Sequence, residues 1–270
     1  MNTILYIAIF SIGITFGSFF TLAVYRIPRK EDITHVRSHC TTCNHRLNFW
    51  DLIPIFSYLF LRGKCRYCGE KIRIRYFLLE ILSGIVFILL ALTRNVTYEM
   101  NITLLASLAL TYLFIAGTFI IAGIDKEKKE IPNGLIIYEL IVGIAYLIFK
   151  VAIGESIISN VAGMVALPLL LLLINVILEK VIKIENELPF GMGDIKYIAV
   201  LGLYVGFGML VLTMLLGVLL ATLHYLISKK QRQETHIALG FYISIAVNIM
   251  LIVMPYIPNT LESIEMMLKW

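Results

Sequence analysis

Apolar runs long enough to cross a bilayer constrain this chain more than any other feature. A hydrocarbon core about 30 Å thick takes roughly 20 helical residues. Eight candidates follow one another, at residues 3–24, 77–93, 102–124, 135–149, 157–178, 195–205, 209–227 and 237–257. The fourth is short and the sixth shorter, and the glycines from 206 to 208 predict a tight turn pairing the sixth with the seventh. Charged residues make up 15% of the chain, against about 25% in soluble domains. The fold class expected is therefore an all-α polytopic membrane protein with about eight transmembrane helices. Only Met1 and Asn2 stand ahead of the first run, with no basic leader and no Ala-x-Ala site, which predicts a retained span and not a cleaved signal.

Charge fixes the expected orientation. Eleven Lys and Arg lie between Arg26 and Arg75, three between Lys126 and Lys129, three between Lys180 and Lys196, and three between Lys229 and Arg232. Only Arg94, Lys150 and Lys269 remain for the opposite side. The positive-inside bias then puts those four groups in the cytoplasm and both termini outside. The net charge of +5 is explained by topology and by contact with anionic inner-leaflet lipid. It calls for no nucleic-acid partner.

One stretch breaks the membrane pattern. Residues 26–76 are polar and basic and read as a small cytoplasmic subdomain between the first helix, 1–25, and a membrane body, 77–270. All four cysteines fall in it, as Cys40-Thr-Thr-Cys43 and Cys65-Arg-Tyr-Cys68, with 21 residues between the pairs. That spacing lies one residue beyond the usual zinc-ribbon gap, and four thiolates complete a closed tetrahedral site for structural Zn2+. Two disulfides or four unrelated thiols are the other reading, which a reducing cytoplasm disfavours. So small a subdomain has little core of its own, and metal binding would supply folding energy directly. His35, His39 and His45 lie nearby and read as solvated loop residues.

Two aspartates stand at span ends. Asp125 ends the third run, ahead of Lys126-Glu127-Lys128-Lys129-Glu130-Ile131-Pro132-Asn133, and Asp194 opens the sixth in Gly191-Met192-Gly193-Asp194-Ile195-Lys196. A carboxylate at the edge of a hydrocarbon span is costly and marks a functional candidate. Gly191 and Gly193 offer unusual backbone conformations and close approach by another chain, so an extended peptide could lie there. Two carboxylates sharing a site cannot both ionise freely, and one protonated beside one charged is what general acid/base peptide hydrolysis needs. Taken singly, each aspartate also fits a plain role, Asp125 as a solvated helix-end charge and Asp194 as a complement to a helix dipole. Lys196 is open to two readings, an influence on an aspartate or on phospholipid, and a snorkelling interfacial side chain.

In this order the motifs resemble the bacterial type IV prepilin peptidases, membrane aspartic proteases of the G-x-G-D class. The resemblance runs through Gly17-Ser18-Phe19, Tyr25-Arg26-Ile27-Pro28, the two C-x2-C pairs, residues 53–59, Leu61-Arg62-Gly63-Lys64-Cys65, Glu80, Asp125 with Ile131-Pro132-Asn133, and Gly191 to Lys196. It implies an enzyme of the bacterial plasma membrane that cuts the basic leader from prepilins and pseudopilins, with Asp125 and Asp194 as the catalytic pair and the cysteine-bearing loop as a zinc-binding domain; Gly191, Gly193 and Lys196, read from the residues alone, are the expected substrate-side positions. It also implies methylation of the new N-terminus with S-adenosylmethionine, which no nucleotide-binding fingerprint here supports independently. Two departures stand out: Phe77 where the family commonly has proline, and residues 236–241 at the start of the last span.

A basic leader joined to an apolar helix would present its cleavage point at the interface, where both aspartates are expected. Glu127, Glu130, Glu179, Glu185 and Glu187 border that surface and read mainly as solvated acids. A small transporter or channel, with Asp125 and Asp194 binding cations and the cysteine loop as a docking module, is the reading from a different class. Transport carboxylates belong near the midplane at broken helices, whereas these lie at one boundary.

Overall fold

The computed structural model describes residues 2–97, 99–182, 190–228 and 237–256. Glu185, Glu187, the basic group 229–232, His236 and Lys269 lie outside the described residues. Nine α-helices form among those described: α1 Asn2–Arg26, α2 Phe56–Phe60, α3 Ile74–Thr93, α4 Ile102–Lys128, α5 Asn133–Ala152, α6 Ile158–Ile182, α7 Met192–Val205, α8 Phe207–Ile227 and α9 Leu239–Val253. Between them lie only short 3₁₀ turns and two isolated β-bridges, with no strand among the described residues. All eight apolar runs are helices, and α2 is the extra one. The chain divides into two compact units, 1–101 and 102–270.

In the first unit α1 and α3 pack side by side. Small residues allow the approach: a Cβ at Gly13 would lie 2.8 Å from the Gly84 Cα, and Ser83 Oγ donates to the Gly13 carbonyl at 2.6 Å. Close backbone contact and an interhelical hydrogen bond are the usual adhesives where lipid removes the hydrophobic drive. The Arg26 side chain, 3% exposed, turns back at the end of α1 and donates to the carbonyls of Asp32, Val36 and Arg37. A residue counted in the sequence for its charge thus fixes the entry to the polar loop.

In the second unit α7 lies at the centre, packed on α5, α6, α8 and α9, while α9 also packs on α4 and α8. Six helices are long and apolar enough to cross a membrane: α1, α3, α4, α5, α6 and α8. The shortness of the sixth run has its reason here. With 14 residues α7 is only about 21 Å long, and Tyr197, Ile198 and Leu201 are fully buried, so protein surrounds it in place of lipid. Glycine permits this: a Cβ at Gly202 would fall 2.3 Å from the Gly163 carbonyl oxygen of α6. The turn to α8 is at Gly206, whose φ of 81° suits glycine, and Gly208 is already helical. Asn160 donates to the carbonyls of Leu203 and Tyr204, satisfying orphan acceptors at the end of α7.

Candidate functional site

Lys129, at φ 55°, donates its N–H to the Asp125 carbonyl and ends α4, and the extended Pro132 then starts α5. This sharp reversal places Ile131 between two helix starts. A Cβ built on Gly193 of α7 would meet Ile131 at 3.5 Å, and one on Gly240 of α9 would meet it at 2.9 Å. The residue links the segments that carry the site.

Asp125 is 3% exposed. Its Oδ2 accepts the Phe241 N–H at 2.8 Å, and Gly240 lies beside it. Both residues belong to the first turn of α9, whose N–H groups have no partner within the helix and whose dipole favours negative charge. A Cβ at position 240 would lie 3.0 Å from Oδ2, so glycine is what allows α9 to approach. The chain thus uses residues 240 and 241, inside the stretch that departs from the expected pattern, to hold the carboxylate. Sequence reading missed this, since a backbone donor 116 residues away leaves no side-chain signature.

Asp194 lies in the first turn of α7, less buried than Asp125 and close enough to interact with it electrostatically. The start of this helix is held from behind: Asn175 of α6 both donates to the Phe190 carbonyl and accepts its N–H. Gly191 is the N-cap with φ −63° and ψ 143°, a conformation open to any residue, and Gly193 is helical. The expected unusual backbone is therefore absent. What the glycines give is space: a Cβ at Gly191 would come within 3.2 Å of Asp194 Oδ2. Lys196 is exposed and its Nζ donates to Asn133 Oδ1 at 3.3 Å, tying α7 to the start of α5.

Glu139 is an acid the sequence reading passed over, although an ionisable residue inside an apolar run was the signal. It is fully buried on α5, neither carboxyl oxygen has a hydrogen-bond partner among the described residues, and a Cβ at Gly117 of α4 would collide with it.

In the first unit the four cysteines come together with donor atoms within 4.8 Å of one another, and none is in a disulfide. Two turns of one design present them. The Cys40 N–H bonds the His45 carbonyl and the Asn44 N–H bonds the Cys40 carbonyl; Cys65 repeats this with Glu70 and Gly69. Asn44 and Gly69 take φ of 57° and 73°, so the fifth position of each turn needs a residue tolerant of left-handed backbone. Burial opposes the Cys40 thiolate, but N–H groups of Cys43 and Thr42 outweigh it and bring the thiol down to about 6. At Cys68 the Glu70 N–H favours the thiolate, while burial and the three neighbouring sulfurs push it up to about 12. Such a cluster, with one thiol easily ionised and one resistant, is suited to a cation. His35 bonds Asp32, and neither His39 nor His45 belongs to the cluster.

Asp51 closes the loop around these turns. Its carboxylate accepts from Arg66 Nε at 2.6 Å, Tyr67 Oη at 3.0 Å and the Asn48 N–H at 3.1 Å. Beside it a cavity of about 580 Å³ is lined by Tyr25, Arg26, Asp51, Tyr58, Tyr76 and Glu80, among others.

Comparison with known proteins gives two family matches, each inside one unit. Residues 11–94 match the bacterial peptidase A24 N-terminal domain, and residues 112–226 match the type IV leader peptidase family. Relatives named prepilin leader peptidase/N-methyltransferase include one from Pseudomonas putida, 28% identical over 87% of this chain and 86% of its own. Another from Aeromonas hydrophila is 31% identical over 78% of this chain and 69% of its own, and one from Vibrio cholerae is 28% identical over 83% and 87%. No solved structure matches. With both parts matched and that similarity carried across most of its length, the chain belongs to the type IV leader peptidase family, as a multi-pass membrane protein.

Proposed function

We propose that this protein is a membrane aspartic endopeptidase that removes the basic leader of type IV prepilins or pseudopilins at the cytoplasmic face, and then methylates the new N-terminus. The observation that carries the reading is the pairing of Asp125 and Asp194: one carboxyl at the end of α4 and one at the start of α7, interacting, with Gly191 exposed beside them. On this reading the pair shares one proton, because two interacting carboxyls in a poorly solvated site cannot both ionise freely. The charged member takes a proton from water as the oxygen attacks the scissile carbonyl, and the protonated member donates to the leaving amine. The Phe241 N–H holds Asp125 in place throughout, with Gly240 leaving room for it, while Asn175 holds the segment ahead of Asp194. The substrate's apolar helix would lie among the spans and its leader in the cytoplasm, with Gly191, Gly193 and Lys196 bordering the cleavage point.

The cysteine cluster fits zinc. Thiolates about 2.3 Å from a tetrahedral ion lie about 3.8 Å apart, and Cys40 Sγ stands 3.9 Å from Cys68 Sγ. Cys40, Cys43, Cys65 and Cys68 would hold the ion in a closed structural site, and it would stabilise residues 26–76 as a subdomain. For methylation the donor would be S-adenosylmethionine, and the cavity in the first unit has ligand size with the Glu80 and Asp51 carboxylates and three tyrosine rings in its wall. The basic loops then face the cytoplasm and both termini lie outside. A transport reading finds no support in the family. Cleavage of a prepilin by the purified protein, compared with Asp125→Asn and Asp194→Asn, tests the proposal.

A further inference from the structure

Helix α2 has one face held by a membrane helix and the other covered by nothing among the described residues. Tyr58 stacks on Phe77 of α3 with ring centroids 4.9 Å apart, and the Ile55 N–H donates to Glu80 Oε2 at 2.7 Å. Ile55 has φ 64°, a costly conformation for a β-branched residue, so the Glu80 bond fixes a turn that would otherwise relax. Phe77 and Glu80 are the fourth and seventh residues of α3, a helix long and apolar enough to span a membrane. Glu80 is therefore about 9 Å along that helix from its first residue, and α2 lies beside the opening turns of a span.

The opposite face of α2 is apolar. Phe56, Leu59 and Phe60, at i, i+3 and i+4 on one side, are 56%, 56% and 80% exposed, and the adjoining 3₁₀ turn adds Phe49 at 74% and Trp50 at 69%. Contiguous exposed aromatic and aliphatic side chains mark an interaction surface. The charges around it select the occupant. Arg46, Arg62 and Lys64 flank the segment, in a loop carrying eleven basic residues against four acids. The acid within the segment, Asp51, is turned inward onto Arg66 and Tyr67 with its side chain 3% exposed, so residues 49–60 themselves present no free negative charge. Aromatic residues with flanking Lys and Arg are the composition of a membrane interface.

We propose that residues 49–60 lie in the headgroup–acyl boundary of the anionic leaflet, with Phe49, Trp50, Phe56, Leu59 and Phe60 inserted in lipid. The cysteine-bearing loop is then seated on the bilayer by this edge in addition to its two covalent tethers, α1 and α3. Anionic headgroups are the ligand of the basic rim, and acyl chains that of the apolar face.

Tryptophan provides the probe, because the chain has two, Trp50 and Trp270. The full-length Trp270→Phe protein is reconstituted in phosphatidylcholine–phosphatidylglycerol vesicles with and without brominated acyl chains. Brominated lipid is expected to quench Trp50 emission at least about twofold, with weak quenching by aqueous acrylamide and a smaller lipid effect when phosphatidylglycerol is omitted. Strong acrylamide quenching without lipid quenching would place the patch in water and overturn the proposal. Protection from both quenchers would mean that protein covers it, with the same consequence. Equal lipid quenching in the two compositions would overturn the anionic preference. Replacing Phe56 and Phe60 together by Ser, in the same background, is expected to reduce the lipid quenching; unchanged quenching would show that α2 is not the anchor.

Discussion

The carboxylate of Asp125 accepts the backbone N–H of Phe241 at 2.8 Å, joining the last turn of α4 to the first turn of α9. Position 240 makes the contact possible, since a Cβ there would lie 3.0 Å from Oδ2 and 2.9 Å from Ile131 Cδ1. Gly240→Val is accordingly expected to displace the carboxylate. A shift of about 1 Å at a reacting group costs on the order of 100-fold in rate, so kcat for prepilin cleavage should fall by roughly that factor, with Gly240→Ala intermediate. Wild-type turnover by Gly240→Val would show that α9 does not position Asp125.

Gly202 is a test of packing remote from the aspartates. Its missing side chain lets the α6 and α7 backbones meet, and overpacked interiors typically lose about 1–3 kcal/mol. Gly202→Ala should lower the melting temperature of the purified protein, and Gly202→Val should lower it further. A melting temperature within a degree of wild type for both would contradict the tight α6–α7 contact.

The thiol cluster predicts metal dependence with a definite sign in pH. Zinc ligands must be thiolates, and without metal one thiol titrates near 6 and another near 12, so binding at neutral pH releases protons and affinity rises with pH. Purified protein is expected to carry one zinc per chain, to lose it on acidification below about pH 6, and to lose it in Cys40→Ser. Full zinc content in Cys40→Ser at neutral pH would refute the four-thiolate site.

Asp51 adds a second acid-sensitive contact. Burial raises its carboxyl, but the Asn48 N–H, Arg66 and Tyr67 together outweigh burial and hold it below the ordinary value. A carboxyl depressed by folding stabilises the fold fully above its unfolded value, about 3.9, and loses that contribution as pH falls through its lower folded value. Emission from neighbouring Trp50, measured in Trp270→Phe protein, should show a transition below about pH 4 that is separate from the change accompanying zinc release near pH 6. In Asp51→Asn that acid transition should be absent. Identical profiles would remove Asp51 from the loop's stability.

How much of this was legible in the sequence depends on which physical term decides each feature. The helices are written in hydrophobic runs, which lipid imposes on every spanning segment, and the four thiols are written in their spacing. The brevity of α7 is visible in the sequence, but its cause is burial by four neighbouring helices, a property of the assembled unit. The hold on Asp125 was illegible because its donor is a backbone N–H group. Arg26 was counted as a topogenic charge, and only the folded loop reveals three carbonyls on its guanidinium. Glu139 was legible in principle, as an acid within residues 135–149, and its complete burial against Gly117 emerges only from packing.

The central claim is that Asp125 and Asp194 act as one catalytic pair. Purified wild type, Asp125→Asn and Asp194→Asn, each in lipid vesicles and with matched melting temperatures, are incubated with a prepilin carrying its basic leader, and the released leader is quantified. Removing either member of an acid/base pair is expected to lower cleavage by at least about 100-fold, with zinc content unchanged in both variants. Cleavage at the wild-type rate by either variant would contradict the pair.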